Sequence, residues 1–321
     1  MDRLTCEELR AAGLGCEVVL LVATDAEAAL LARALGDTST FVVATKKLLV
    51  GYLAPLGAAG SAGGLPRSVE MAAGIAPAGI VPAAGRRVAL AVSGLDKVNA
   101  AHLLTCLLQA MEPLPRLVLQ VGIAGALPNK GDVASASVGD VVIATQEAYS
   151  DTGSSSPAGW LSARELGWPI GLVDGIESGG VFPIDGRLVA AALKVVALAA
   201  ARADRSAPAA IRPEEHSRVL AGPCVTASLV TGLASEAQEL ADRWEAVAES
   251  MEGAAAAHIC GLYGTPFLEV RGISNLVGDR DRAAWQVQRA VAAASWAARA
   301  IVDGLDGLPL AEVGARVSGD V

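Results

Sequence analysis

The sequence has no run of about twenty uninterrupted apolar residues, the length a helix needs to cross a bilayer. Every long apolar stretch is broken by a charge, a glycine or a proline, so no membrane span is expected. There is no C-x-x-C pair. The five cysteines, Cys6, Cys16, Cys106, Cys224 and Cys260, are odd in number and widely spaced, which argues against a disulfide framework and a zinc site. His102, His216 and His258 show no ligand-like spacing among themselves or with the cysteines, so neither a metal nor a cofactor is expected. Basic residues are in the minority, 25 Lys and Arg against 34 Asp and Glu, for a net charge of -9 and a pI near 4.9. Binding nucleic acid needs clustered Lys and Arg to neutralise phosphates, so a nucleic-acid surface is excluded and a small ligand expected. No G-x-G-x-x-G fingerprint is present, which disfavours dinucleotide binding, and no internal repeat is visible. The N-terminus, Met1 to Glu8, is acidic and lacks the apolar run of a signal peptide. A reducing cytoplasm fits these features.

What the 321 residues do contain is apolar material: 53% are hydrophobic and only 18% charged, enough for a buried sheet covered by helices. Short β-branched runs read as buried strands at Val18 to Ala23, Val88 to Ser93, Leu117 to Val121, Asp140 to Ala144, Val219 to Val225 and Phe267 to Ile273. Ala- and Leu-rich helical stretches lie between or after them, at Asp25 to Leu35, Lys97 to Met111, Arg187 to Ala203, Glu236 to Trp244, Glu252 to Leu262 and Ala283 to Val302. Alternation of this kind predicts an α/β sandwich with ligands at strand ends. One domain is expected over residues 16–306, with flexible termini at 1–15 and 307–321. Gly51 to Gly85, rich in Ala, Gly and Pro with almost no charge, reads as a surface insertion. Asp151 to Gly180 reads as a long loop.

Four segments carry residue types suited to chemistry. Glu27 follows the first strand in Val22-Ala-Thr-Asp-Ala-Glu27, where a carboxylate can polarise a water above the sheet edge. The competing reading is a helix start, with Asp25 as N-cap and Glu27 favoured by the helix dipole. Gly122-Ile-Ala-Gly-Ala126 follows another strand and allows close backbone approach to a ligand, or only a tight turn. In Glu249-Ser-Met-Glu-Gly253 a carboxylate at the head of a helix of small residues can accept hydrogen bonds from vicinal sugar hydroxyls, or merely start that helix. His258, six positions on, faces elsewhere and reads as a core or surface histidine. The fourth segment, Arg271-Gly-Ile-Ser-Asn275 followed by Gly278-Asp-Arg-Asp-Arg282, puts an uncharged amide at a sheet edge beside a charge run that can pair with itself.

In this order the four segments resemble the purine nucleoside phosphorylase superfamily, in its hydrolytic branch. There, 5′-methylthioadenosine/S-adenosylhomocysteine nucleosidases carry a Glu near the first strand, a Gly-Ser-Ala-Gly-Gly turn, a Met-Glu helix start and an Arg-Ala-Ile-Ser-Asp strand end. The resemblance spans Glu17 to Leu305. It implies a three-layer α/β/α sandwich with a central mixed, twisted sheet, a nucleoside substrate with water as co-substrate, no cofactor, and self-association. Asn275 stands where the adenine-cleaving enzymes have Asp, and Ile123 where they have Ser. With Glu-Ser-Met-Glu-Gly-Ala-Ala, Gly278 to Arg282 and Trp285, these departures resemble the futalosine-hydrolysing members. By that resemblance Glu27 is the general base, Glu252 grips the ribose and Met251 packs under it. Ala124, Gly125 and Val225 to Val230 line the base; Val230 stands where the adenine enzymes stack a Phe. Ser274 and Asn275 meet the base edge, and Arg280 or Arg282 is the counter-charge for a 5′ carboxylate. The amide has its own rationale: hypoxanthine offers acceptors at N7 and O6, and an amide NH2 can donate to O6.

Overall fold

The computed structural model describes residues 3–4, 6–56, 85–128, 136–173, 176–202, 217–278 and 281–310. Fifteen strands and seven α-helices lie within them. The first half contains β1 (Arg3–Leu4), α1 (Cys6–Ala11), β2 (Val18–Val22), α2 (Asp25–Arg33), β3 (Leu35–Val43), β4 (Lys46–Leu53), β5 (Arg86–Val92), α3 (Lys97–Ala110) and β6 (Leu117–Ala126). There follow β7 (Val141–Tyr149), β8 (Gly153–Ser156), β9 (Gly159–Ser162), β10 (Leu172–Val173), β11 (Ile176–Glu177), β12 (Val181–Pro183) and α4 (Gly186–Arg202). The chain ends with β13 (Val219–Thr226), α5 (Ala234–Trp244), β14 (Ala248–Ser250), α6 (Gly253–Tyr263), β15 (Phe267–Leu276) and α7 (Val287–Asp303).

The central sheet is mixed, in the order β1-β3-β4-β5-β2-β6-β14-β13-β7-β12, and β15 pairs with both β6 and β7. Val18 to Val22 lies at its heart. Every residue of this Val-Val-Leu-Leu-Val run is buried, as a parallel strand with both faces covered requires. Burying each such side chain contributes roughly 1.5–3 kcal/mol. On one face α7 packs against β6 and β15 and carries α2 and α4 beside it. On the other, α6 lies over β7, β13 and β15 and packs on α3, which in turn holds α1. This is the expected α/β/α arrangement. Beyond it, β6, β15, β7, β13 and β14 pair in a closed cycle, so that half of the sheet curls into a ring.

Several boundaries differ from those read in the sequence. Gly51 to Leu53 close strand β4, pairing with β5 and with the start of β3, so the insertion expected from Gly51 does not begin there; residues 57–84 lie outside the described residues. The N-terminal stretch expected to be flexible contains β1, paired with β3, and helix α1, whose Leu9 is buried. Of the C-terminal stretch expected to be flexible, Gly307 closes a 3-10 turn and Leu308 is buried against the core; residues 311–321 lie outside. The loop expected at Asp151 to Gly180 carries two small antiparallel hairpins, β8-β9 and β10-β11. No helix among the described residues is long and apolar enough to cross a membrane.

Candidate active site

Glu27 takes part in the helix start that its competing reading expected, and its carboxylate also reaches across to Ile123 on β6. Helix α2 is capped by Thr24, not Asp25, in a reciprocal capping box: Thr24 Oγ1 accepts from Glu27 N, and the Glu27 carboxylate accepts from Thr24 N. Glu27 Oε2 takes hydrogen bonds from Thr24 N (3.0 Å) and Oγ1 (2.9 Å), while Oε1 takes one from Ile123 N at 3.0 Å. Three donors thus fix a buried carboxylate at the end of β2, against the Gly122-Ile123 turn. A carboxylate has about four lone-pair positions, so one remains for a water.

The glycine of that turn makes room for protein groups. A Cβ on residue 122 would lie 2.5 Å from Arg271 Nη1 and 2.6 Å from Glu27 Oε1, so only glycine lets the guanidinium and the carboxylate close in on strand β6. Arg271, on β15, is almost wholly buried. It donates through Nε to Glu269 Oε1 and through Nη1 to Ile123 O, and its Nη1 and Nη2 stand 3.4 Å from Glu252 Oε2. Burial opposes the guanidinium charge, but Glu269, Glu252 and Glu27 outweigh it and hold Arg271 firmly protonated.

Glu252 occupies the N-cap position of α6 without capping it through its side chain. It does start the helix, as its competing reading expected, and its carboxylate is left to make other bonds. It is buried, its Oε1 accepts from Asp96 N at 3.2 Å, and burial pushes its pKa above the usual glutamate range, with Arg271 pulling the other way. Asp96 N-caps α3 through Lys97 N and accepts from Ser228 Oγ at 2.7 Å. That bond, with Ser228 N donating to Asp151 Oδ2, ties the start of the segment after β13 to the Asp96 that holds Glu252, while Val230, two residues on, is exposed. Met251 precedes Glu252 and is partly exposed.

Asn275 sits on an irregularity of β15. Ile273 pairs with Ala124 and Asn275 with Gly125, leaving Ser274 as an extra residue between them. Such a bulge rotates the next side chain. Here it brings the Asn275 amide over Gly125, where any Cβ would meet Nδ2 at 3.2 Å and Val277 Cγ2 at 2.7 Å. Ser274 Oγ is placed 3.2 Å from Ala124 O and 2.8 Å from Asn275 Oδ1, and Asn275 Nδ2 donates to Leu276 O at 2.9 Å. The amide keeps one N–H and one lone pair free.

The fold thus draws together Glu27, Glu252, Ala124, Gly125, Ser274 and Asn275 around the ends of β2, β6 and β15. Arg282 is exposed in a 3-10 turn capped by Asp281, and that turn is tethered to the bulge by Gln286 N donating to Ser274 O. Arg280, Asp279 and His216 lie outside the described residues. His258 joins a part-buried aromatic cluster, stacked on Phe182 at 4.8 Å with Tyr149 Oη 3.3 Å from Nδ1, and burial lowers its pKa. The sequence reading quoted Arg271 but gave it no role, and missed Asp96 and Glu269. A charged residue inside the otherwise apolar run Phe267 to Ile273 was the available signal for both Arg271 and Glu269.

Comparison with known proteins matches residues 17–305 to the family model described as the Phosphorylase superfamily. A futalosine hydrolase of Streptomyces coelicolor is 33% identical over 178 residues, 55% of this chain and 61% of that protein. The matched segment thus spans less than two thirds of that relative. A 5′-methylthioadenosine/S-adenosylhomocysteine nucleosidase of Bacillus thuringiensis is 30% identical over 61% of this chain and 71% of its own length. Among solved structures, futalosine hydrolase of Helicobacter pylori superposes with a TM-score of 0.63 at 18% identity, covering 90% of this chain and 97% of that one.

Proposed function

The chain belongs to the phosphorylase superfamily, and from that premise we propose that it hydrolyses the N-glycosidic bond of futalosine, releasing hypoxanthine and dehypoxanthine futalosine on the route to menaquinone. Hydrolysis of an N-glycosyl compound is supported by both sets of relatives, the futalosine hydrolases and the methylthioadenosine nucleosidases. The choice of a 6-oxopurine rests on one observation: an amide, Asn275, is aimed by the β15 bulge and pinned by Ser274 where the base edge is expected. Its free N–H donates to O6, and its free lone pair accepts from N7 once that atom is protonated. An amide is a poor acid, so solvent or another group supplies the N7 proton.

In this reading Glu27 takes a proton from water as the C–N bond lengthens and the ribosyl group gains oxocarbenium character. Glu252 accepts from the ribose hydroxyls, Met251 packs under the sugar, and Ala124, Gly125 and Val225 to Val230 line the base. Arg280 or Arg282 meets the carboxylate of the 5′ substituent. Phosphorolysis is disfavoured by Asp25 and Glu27, which would repel phosphate at the end of β2. The second reading is release of adenine, favoured by the similarity to the Bacillus nucleosidase.

Incubating the protein with futalosine, inosine and methylthioadenosine without phosphate, and identifying the free base, separates these readings. Hypoxanthine from futalosine is expected; adenine as the preferred product would replace the first reading by the second.

A further inference from the structure

Behind the site lies a buried group that the mechanism does not use. Glu147 on β7 and Glu269 on β15 are both fully buried. Glu147 Oε2 accepts from Thr226 Oγ1 at 2.7 Å, and Glu269 Oε1 accepts from Arg271 Nε. The two remaining oxygens, Glu147 Oε1 and Glu269 Oε2, have no hydrogen-bond partner. Both crowd the one point beside Gly253 where a Cβ would sit. Two bare carboxylate oxygens facing each other away from water repel strongly, and each isolated buried ion is costly by several kcal/mol.

We propose that Glu147 is protonated on Oε1 and donates to Glu269 Oε2, so that the pair holds one proton and Glu269 serves as the anion that positions Arg271. One proton satisfies both orphaned oxygens and removes the repulsion. Burial and the neighbouring Glu269 charge push the Glu147 pKa well above the glutamate range, in the same sense. The consequence reaches the site. Because Glu269 engages Arg271 through Nε, the guanidinium approaches Glu252 only at 3.4 Å. Glu252 therefore keeps acceptor capacity for a sugar instead of being consumed in a tight ion pair. Glu147 and Glu269 are positioning residues, and this role rests on the reading of Glu252 as the sugar-binding carboxylate.

The test combines infrared spectroscopy with kinetics. At neutral pH the wild-type protein should show the carbonyl stretch of a buried protonated carboxylic acid, lost in Glu147→Gln and retained in Glu252→Gln. Glu147→Leu, which cannot donate, should lose at least about tenfold in kcat/KM, the equivalent of one charge-assisted hydrogen bond. Glu147→Gln should recover to within about threefold of wild type, because its NH2 donates the same bond while its carbonyl accepts from Thr226. Absence of the carboxylic-acid band, or failure of Gln to rescue where Leu impairs, would overturn the proposal. The infrared result needs no substrate and no variant that must be active, so it stands apart from the identity of the nucleoside.

Discussion

At the scale of single residues, the candidate site and the interior behind it hold carboxylates made unlike by their surroundings. Glu27 is held by three donors, Glu252 by one backbone N–H and a distant guanidinium, and Glu147 by a hydroxyl on one side only. Replacing Glu27 with Gln should lower kcat by roughly a hundredfold or more, the scale of a lost general base. An unchanged circular-dichroism spectrum would show that the fold survives; retained turnover would remove Glu27 as the base. Asn275→Asp addresses the base code. A carboxylate cannot donate to O6, so the ratio of kcat/KM for hypoxanthine over adenine nucleosides should fall by about tenfold, the worth of one hydrogen bond left unmade. A ratio that does not move would show that the amide does not choose the base.

Secondary-structure elements matter here through their ends and their irregularities. The capping box of α2 is also the mount of Glu27, and the bulge of β15 is the mount of Asn275. Helix α6 begins Gly253-Ala-Ala-Ala-Ala because it must lie close to the sheet. At Gly253 a side chain would run into the oxygens of Glu147 and Glu269. Gly253→Ala should therefore destabilise the protein by about 1–3 kcal/mol, as overpacking does, and lower activity together with stability. Urea unfolding followed by tryptophan fluorescence measures the first effect, and an unshifted midpoint would mean that the two carboxyl groups have room to move. The hairpin β3-β4 escaped the sequence reading because Leu35 to Val43 begins with exposed polar residues. The end of β4 was absorbed into a low-complexity stretch whose first residues are in fact ladder-paired. Ala248–Ser250 is too short to carry any periodicity of its own.

For the whole molecule, the buried acids set the pH dependence of stability. Glu147 and Glu252 have pKa values raised in the folded state above the ordinary 4.5, chiefly by burial. The folded protein thus retains protons that the unfolded chain releases, so their contribution is complete below 4.5 and lost as pH rises through the raised values. Asp306, held low by Arg86 and Arg116, acts in the opposite sense, but its carboxylate is largely exposed and counts for little; His258, whose pKa burial lowers, also acts in the opposite sense, its destabilising effect vanishing as pH rises past 6.5. The urea midpoint of the wild type should fall relative to that of Glu147→Gln as pH rises above about 5; parallel curves for the two proteins would show that Glu147 titrates normally. The sequence by itself determined the α/β class, the strands Val18 to Val22, Val88 to Val92 and Phe267 to Ile273, and the residue types at strand ends, because local periodicity and composition report which segments must be buried. It did not determine that β6, β15, β7, β13 and β14 close on one another, nor that Glu147, Glu269, Arg271 and Glu252 share one buried interior. Glu147, Glu252 and the Glu269–Arg271 pair come from separate stretches of the chain, and only strand register and the close seat of α6 bring their charges together, where low dielectric makes each one depend on the others.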